Sequence, residues 1–180
     1  MNMENRVKRL FVILSASVFL FSSCSGLPAE NPEDFSVVFS WDTGALPPQY
    51  HYSYTITIGP GPQGQFVYQP GYDTQDQTNL WVAGFVLTQG QLDSLYESLK
   101  GLGIMRSRWN TGAGLVGGSN TDIIITAYGK EYHVPSIAEL EEGDRGRVDE
   151  AMEDIRGMVP KDIWDEMEAR QQAYEQKFEY

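Results

Sequence analysis

The chain has 180 residues, of which 41% are hydrophobic and 21% charged, with 25 acidic against 13 basic side chains. This length suits one globular domain, and this hydrophobic content excludes a wholly disordered chain. The net charge of −12 argues against unaided binding to nucleic acid, and the single cysteine excludes an internal disulfide framework and a multi-cysteine zinc site.

Residues 1–23 have the layout of a secretory signal peptide. Three basic side chains lie within residues 6–9, and residues 10–21 form an apolar run. That run is shorter than the ~20 residues that a membrane-spanning helix needs. It ends in the small residues Ser22 and Ser23, which Cys24 follows.

This small-small-Cys ending resembles the lipobox of bacterial lipoproteins, although Phe21 stands where that family usually has an aliphatic residue. The resemblance implies that Cys24 is acylated and becomes the first residue of an exported, lipid-anchored chain. The anchor would lie in the outer membrane of a two-membrane cell, or on the outer face of the cell membrane where there is only one. The alternatives are an ordinary signal peptide cleaved nearby and a buried structural cysteine.

Cleavage before Cys24 removes three basic residues and Glu4, so the net charge of −12 becomes −14. Residues 24–34 are predicted to be the lipidated cysteine and a flexible spacer, because two prolines, small residues and three carboxylates follow the cysteine. The acidic body should then be repelled by anionic headgroups and stand off the membrane on its tether.

Four strands are predicted in the first half of the body. Residues 35–42 are rich in β-formers, and residues 50–58 alternate Tyr and Ile with His, Ser and Thr at a period of two. Residues 65–69 are the return strand after the Gly-Pro-rich turn at 59–64. Residues 80–87 are apolar on both faces, which is typical of a central strand covered on both sides.

A helix is predicted after the fourth strand. Thr88 and Gln91 form a capping-box pattern, and leucines at 92, 95, 99 and 102 share one helical face before Gly103. Residues 104–109 are predicted as a short strand or sheet edge.

The second half adds one hairpin and two helices. Residues 121–128 read as an inner strand, Gly129-Lys130 as the turn and residues 131–134 as the return strand. Acidic residues then dominate from 139 to 180. One apolar stripe contains Val148, Met152, Ile155 and Val159; a second, following Pro160, contains Ile163, Met167, Tyr174 and Phe178, with Trp164 adjoining.

The predicted class is therefore α+β: an antiparallel sheet of about five to seven strands with one central helix and two C-terminal helices. Residues 35–180 form one domain, in which 35–135 supply the sheet and the first helix and 139–180 the acidic helical part.

Aromatic residues concentrate in the first half of the body, where they either pack the sheet or form a recognition surface. We expect Tyr50, Tyr52 and Tyr54 to face the core. Trp41 and Tyr72 stand beside turns and next to aspartates, so we expect them to be exposed and to contribute to a contact surface.

The glycine-rich loop 110–119 is the other candidate contact. Gly112, Gly114 and Gly117 fit the spacing G-x-G-x-x-G, but a β-branched strand follows them, where dinucleotide binding requires a helix. We therefore interpret the segment as a surface loop that carries contacts, and we expect no cofactor.

His51 and His133 are the only histidines, and both fall on predicted strands. A metal site completed by Asp122 or Asp73 is one hypothesis, and solvent-facing strand residues are the simpler one, so we expect no metal. The chain has no G-x-S-x-G motif, and a carboxylate pair such as Asp42 with Asp73 or Asp76 is expected by chance in so acidic a chain.

The sequence predicts a non-enzymatic binding or accessory module, anchored to the membrane by its lipid, that binds an envelope protein or surface component. It carries no signal for an oligomeric state. The plan of residues 35–135 resembles that of small domains in bacterial lipoproteins and of emfourin-type metalloprotease inhibitors. Inhibition of a secreted protease is therefore one alternative, and an envelope hydrolase that uses His51 or His133 with a carboxylate is the other.

Overall fold

The computed structural model describes residues 27–72, 79–106, 108–112 and 118–178. Its centre is an antiparallel sheet of six strands in the order β4-β3-β2-β1-β5-β6. The strands are β1 (Ser36–Asp42), β2 (Tyr52–Ile58), β3 (Gln63–Pro70), β4 (Trp81–Val86), β5 (Asn120–Ala127) and β6 (Lys130–Val134).

Three helices within the described residues pack with the sheet: α1 (Gln89–Gly101), α2 (Glu142–Gly157) and α3 (Lys161–Glu175). Short 3₁₀ turns occupy Ile137–Glu139 and Gln176–Phe178. The predicted α+β class, with one central and two C-terminal helices, is confirmed. None of the helices within the described ranges is long and apolar enough to cross a membrane.

The core lies on one face of the sheet. Alternate residues of each inner strand are buried there, such as Val37 and Phe39 in β1 and Ile123 and Ile125 in β5. They form one hydrophobic cluster with buried residues of all three helices, including Ile155 of α2. The acidic helical part therefore belongs to the same folding unit as the sheet.

Helix α1 begins as predicted. The Gln91 amide donates to Thr88 Oγ1 at 3.2 Å, and the Thr88 amide donates to Gln91 Oε1 at 2.9 Å. These two bonds satisfy donors that the first turn of a helix leaves free. Leu92, Leu95 and Leu99 are buried, together with Tyr96.

The prediction that residues 80–87 form a covered central strand is wrong. Strand β4 is an edge strand, and its Val82 and Val86 side chains are 53% and 70% exposed. An apolar run shows that a strand is hydrophobic but does not show whether it lies at the centre or the edge of a sheet. Helix α1 follows β4 in the chain, and among the described strands only β3 pairs with β4.

Two smaller predictions also change. Residues 104–106, 108 and 109 form no strand, and the apolar side chains of Ile104 and Met105 are buried. The β5–β6 turn is Tyr128-Gly129, one residue earlier than predicted, since Ala127 pairs with Lys130. Both turn residues have positive φ, 53° and 69°, as a two-residue hairpin with the right-handed twist of a sheet requires.

Residues 27–34, the described part of the predicted spacer, lie against the domain. Leu27 packs on the core, and the Pro28 carbonyl accepts a hydrogen bond from the Tyr96 hydroxyl at 2.8 Å. Asp34 accepts from the backbone amides of Tyr128 and Gly129. The prolines and carboxylates that favoured a flexible spacer supply these contacts instead.

Candidate functional site

We call the two ends of the sheet the Trp41 end and the Phe35 end, after a residue of β1 and the residue just before it. At the Trp41 end, β1 and β3 finish and β2 and β5 begin; at the Phe35 end, β1 and β6 begin and β2 and β5 finish. The register pairs Asp42 with Ser53 and with Asn120, so the chain segments around Trp41, Tyr52 and Asn120 all lie at the Trp41 end.

An open cleft of about 470 Å³ lies between the Trp41 end of the sheet and helices α2 and α3. We call it the aromatic cleft. The side chains around it come from β1 and β2 (Trp41, Tyr52, Tyr54), from α2 (Glu153, Arg156) and from α3 (Trp164, Met167, Glu168).

The sheet wall of the cleft follows from strand geometry. Tyr52 and Tyr54 are two residues apart on β2 and therefore share a face, and the register places Trp41 opposite Tyr54. The Trp41 ring stacks on Tyr54 with centroids 5.2 Å apart and lies 5.4 Å from Tyr52. Such cross-strand aromatic pairs stabilise the sheet and make this wall rigid.

The helix wall is held by Trp164. Its ring meets Tyr54 edge-on, with centroids 5.2 Å apart, and meets Phe66 at 5.0 Å. Its indole nitrogen donates to the Arg156 carbonyl at 3.4 Å, which ties α3 to the end of α2. Trp164 is half-buried, so part of its ring faces the cleft.

Arg156 connects the two walls. Its Nε donates to the Tyr54 hydroxyl at 2.8 Å, and its Nη1 donates to Glu153 Oε1 at 2.9 Å. The guanidinium carbon lies 5.9 Å from the ring centroids of both Trp41 and Tyr54, close to the outer limit of a cation–π contact. Arg156 therefore already has Glu153 as its ion-pair partner.

The tyrosine hydroxyls of the cleft stay protonated well above neutral pH. Burial raises the pKa of Tyr54 to about 12, while Arg156 acts in the opposite direction. Burial also raises the pKa of Tyr52; Arg156 acts against this increase, and the carboxylates of Glu168 and Glu175 add to it. Both phenols therefore retain a proton to donate.

Glu168 is the carboxylate of the cleft that pairs with no lining residue. The pKa of Lys161 is raised by its ion pair with Asp165 and, to a smaller extent, by the charge of Glu168. Glu168 is exposed at the rim, and no ion pair joins it to another residue in the described parts of the chain. With Glu153 paired to Arg156, the cleft has a net negative charge in a strongly acidic molecule.

Tyr72 lies at the same end of the sheet but does not line the cleft. Its ring stacks on His51 with centroids 3.7 Å apart, and its hydroxyl donates to the Leu46 carbonyl at 2.7 Å. The side chain is 49% exposed and holds the loop after β1 against the end of β3.

Only part of the glycine-rich loop 110–119 lies among the described residues, and none of that part lines the aromatic cleft. Gly114 and Gly117 lie outside the described residues. Gly112 is exposed, and its amide donates to the Glu139 carbonyl at 2.9 Å, so it adjoins the segment before α2 and not the cleft. Gly118 reaches the Trp41 end, where a Cβ on Gly44 (φ +72°) would meet the Gly118 carbonyl oxygen at 1.9 Å. Strand β5 follows the loop, as predicted.

The two histidines are far apart. Three strand spacings separate β2, which His51 precedes, from β6, which carries His133, and this amounts to at least ~14 Å. His51 is buried, and its Nδ1 lies 3.0 Å from the Gly44 carbonyl oxygen, so this nitrogen carries the ring proton. His133 is exposed, 3.7 Å from Glu131. The described residues contain no group of three or more potential metal ligands.

Of the three tyrosines expected to face the core, Tyr54 is buried, Tyr52 is half-buried and Tyr50 is 50% exposed. Strand β2 begins only at Tyr52, so Tyr50 lies outside the alternation. The sequence reasoning missed Arg156 and Glu168. A single arginine beside the buried Ile155 was the only local signal, and its aromatic partners lie about a hundred residues away in the chain.

No known protein family matches this chain, and none of the curated proteins is significantly similar to it in sequence.

Proposed function

We propose that the protein is an exported, lipid-anchored binding module of the bacterial cell envelope, non-enzymatic, attached through Cys24. Its ligand site is the aromatic cleft, which takes a cationic group of an envelope protein or surface component. The observation that supports this proposal is the arrangement of Trp41, Tyr52 and Trp164 around an open cleft with an exposed carboxylate, Glu168, at its rim.

The aromatic walls support a binding role. Trp and Tyr dominate recognition sites because they present large, rigid surfaces and lose little conformational entropy on binding. In this protein the rings are held by stacking and by the hydrogen bond from Trp164 to the Arg156 carbonyl, so the cleft exists before a ligand enters. A preformed cleft avoids the ordering cost that weakens association.

The charges favour a cation over an anion. Arg156 is paired with Glu153, whereas Glu168 makes no ion pair in the described parts of the chain, only a weaker electrostatic interaction with Lys161, and is exposed to a ligand. A Lys or Arg side chain could lie against the ring faces of Tyr52 and Trp164 with Glu168 as its counter-ion. The net charge of the chain attracts the same kind of ligand from a distance.

The ligand class is tested by titrating the protein with a blocked Gly-Arg-Gly peptide and, as control, with the same peptide carrying neutral citrulline. The four tryptophans give four indole NMR signals. We expect the arginine peptide to shift Trp41 and Trp164 and to leave Trp81 unchanged. Glu168→Gln should weaken the effect, as should added salt. Equal shifts with citrulline, or shifts confined to Trp81, would exclude a cation site in the cleft.

The anchor is tested in the native envelope. We expect the mature protein to carry acyl chains on Cys24 and to fractionate with membranes, and Cys24→Ala to lose both properties. An unmodified Cys24 would remove the lipoprotein part of the proposal. Inhibition of an envelope protease by the purified domain would favour the inhibitor alternative, and loss of function in folded His51→Ala or His133→Ala would favour the hydrolase.

A further inference from the structure

We infer that residues 27–34, the N-terminal strap, orient the anchored domain, so that the Phe35 end of the sheet faces the membrane and the aromatic cleft faces away from it. This inference rests on the proposed acylation of Cys24 and adds to it a fixed direction for the ligand site.

The strap is bound to α1, whose Tyr96 ring packs edge-on against Phe35 with centroids 5.4 Å apart. The Pro28 carbonyl accepts hydrogen bonds from Tyr96 at 2.8 Å and from Lys100 at 3.1 Å, both in α1. Asn31 donates to Asp93 Oδ1 at 3.2 Å, again in α1. Leu27 adds an apolar contact with the core.

Further contacts join the strap to the β5–β6 hairpin. The Tyr128 hydroxyl donates to the Glu30 carbonyl at 2.5 Å, and Asp34 accepts from the Tyr128 amide at 2.9 Å and the Gly129 amide at 2.5 Å. The Phe35 amide donates to the Pro32 carbonyl at 3.0 Å, which turns the chain directly into β1. The strap thus bridges two separate elements and cannot swing without breaking several hydrogen bonds.

The remaining tether is short. Only Ser25 and Gly26 separate Cys24 from Leu27, so the lipidated residue lies at most ~11 Å from the first strap residue. A flexible spacer of eleven residues would let the domain tumble, whereas a link of two residues holds its attachment point beside the headgroups.

The ligand site lies at the other end of the sheet. Trp41 is five residues along β1 from Ser36, which corresponds to about 17 Å at the rise of a β-strand. An anchor at the Phe35 end therefore places the aromatic cleft on the side away from the bilayer. Such a cleft is open to partners outside the membrane and is held away from lipid headgroups.

The test uses the acylated protein in phosphatidylcholine vesicles that contain a headgroup nitroxide quencher. The chain has one cysteine, which acylation consumes, so an added cysteine can be labelled with a fluorophore alone. Lys130→Cys places the label at the Phe35 end and Leu46→Cys at the Trp41 end; both side chains are exposed, so neither change disturbs the core. We expect quenching to be several-fold stronger at position 130 than at 46.

A matched control lengthens the tether without touching the strap. Insertion of about ten Gly and Ser residues between Gly26 and Leu27 adds roughly 17 Å of flexible reach and should reduce the difference between the two labels. Equal quenching at 130 and 46 in the acylated protein, or a difference that survives the insertion, would overturn the orienting role of the strap. Failure to bind vesicles, with Cys24 unmodified by mass, would instead overturn the anchor itself and the inference with it.

Discussion

Single residues at the aromatic cleft determine how the sheet and the helices are joined. Tyr54 is only 5% exposed, and Arg156 is its hydrogen-bond donor from α2. A buried oxygen that loses its partner is costly, whereas removal of both partners costs less. The Tyr54–Arg156 pair should therefore show strong energetic coupling.

We expect Arg156→Met to lower the free energy of unfolding by ~1–3 kcal/mol, because it leaves the Tyr54 hydroxyl without this donor. Tyr54→Phe should cost less, since the Arg156 guanidinium keeps Glu153 and remains partly exposed. The double variant should cost less than the sum of the two single changes, with a coupling of at least ~0.5 kcal/mol in urea unfolding. Additive effects would show that the bond contributes nothing.

The tyrosine hydroxyls also predict a dependence of stability on alkaline pH. The pKa of Tyr54 is about 10 in the unfolded chain and about 12 in the folded one. The unfolded state therefore releases this proton first, so stability is unaffected by Tyr54 below about pH 10 and falls between pH 10 and 12. The pKa values of Tyr52 and Tyr68, raised mainly by burial, act in the same direction.

We expect the urea midpoint of the native protein to fall as pH rises from 10 towards 12, and the midpoint of Tyr54→Phe to fall less steeply. A parallel decline in both proteins would mean that Tyr54 ionises equally in the folded and unfolded states.

At the level of elements, the β3–β4 pair contains two glycines with opposite surroundings. Gly64 pairs with Phe85, whose ring lies 2.2 Å from the position of an added Cβ. Around Gly84, the nearest atom would be 3.9 Å away. The ring of Phe85 therefore occupies the space that a side chain at 64 would need, and this fixes how the edge strand β4 packs on the core.

We expect Gly64→Ala to destabilise the protein by ~1–3 kcal/mol, because Phe85 must move within a packed core. Gly84→Ala is the matched control and should be neutral or stabilising by up to ~1 kcal/mol, since glycine is unfavourable inside a strand. Thermal unfolding of both variants measures the contrast. Equal effects would show that the Phe85 ring is free to move aside.

At the scale of the whole molecule, the sheet and the C-terminal helices share one core. Ile163 and Met167 of α3 belong to the same cluster as Phe39 and Ile56, and Tyr68 of β3 donates to Gln171 at 2.5 Å. The acidic helices are thus not an appendage of the sheet, and their loss would expose the aromatic face of β2 and β3.

We therefore expect one cooperative unfolding transition for the whole domain. Unfolding followed by tryptophan fluorescence, to which Trp164 of the helix layer contributes, should coincide with unfolding followed by far-UV circular dichroism. Two separated transitions would mean that α2 and α3 unfold independently of the sheet.

Local patterns were sufficient to predict the class of element at most positions. Strand β2 follows from the alternation within residues 50–58, α1 from its capping box and leucine face, and α2 from its apolar stripe. The stripe predicted for α3 holds only at Ile163 and Met167: Gln171 is the next buried residue, and Phe178 is 51% exposed beyond the end of the helix. These patterns involve residues only a few positions apart in the sequence. Backbone preference and hydrophobic periodicity are therefore sufficient to predict the elements. The α+β class follows from the order of such elements.

Pairings between distant segments were decided only by the tertiary structure. The sheet order places β1 between β2 and β5 and leaves the apolar β4 at an edge. Arg156 reaches a tyrosine 102 residues away, and the strap reaches the β5–β6 turn across more than 90. Short-range patterns cannot encode such partners, because each contact depends on how the whole core packs. For the same reason, the sequence alone identified Trp41 as a candidate but not the cleft around it.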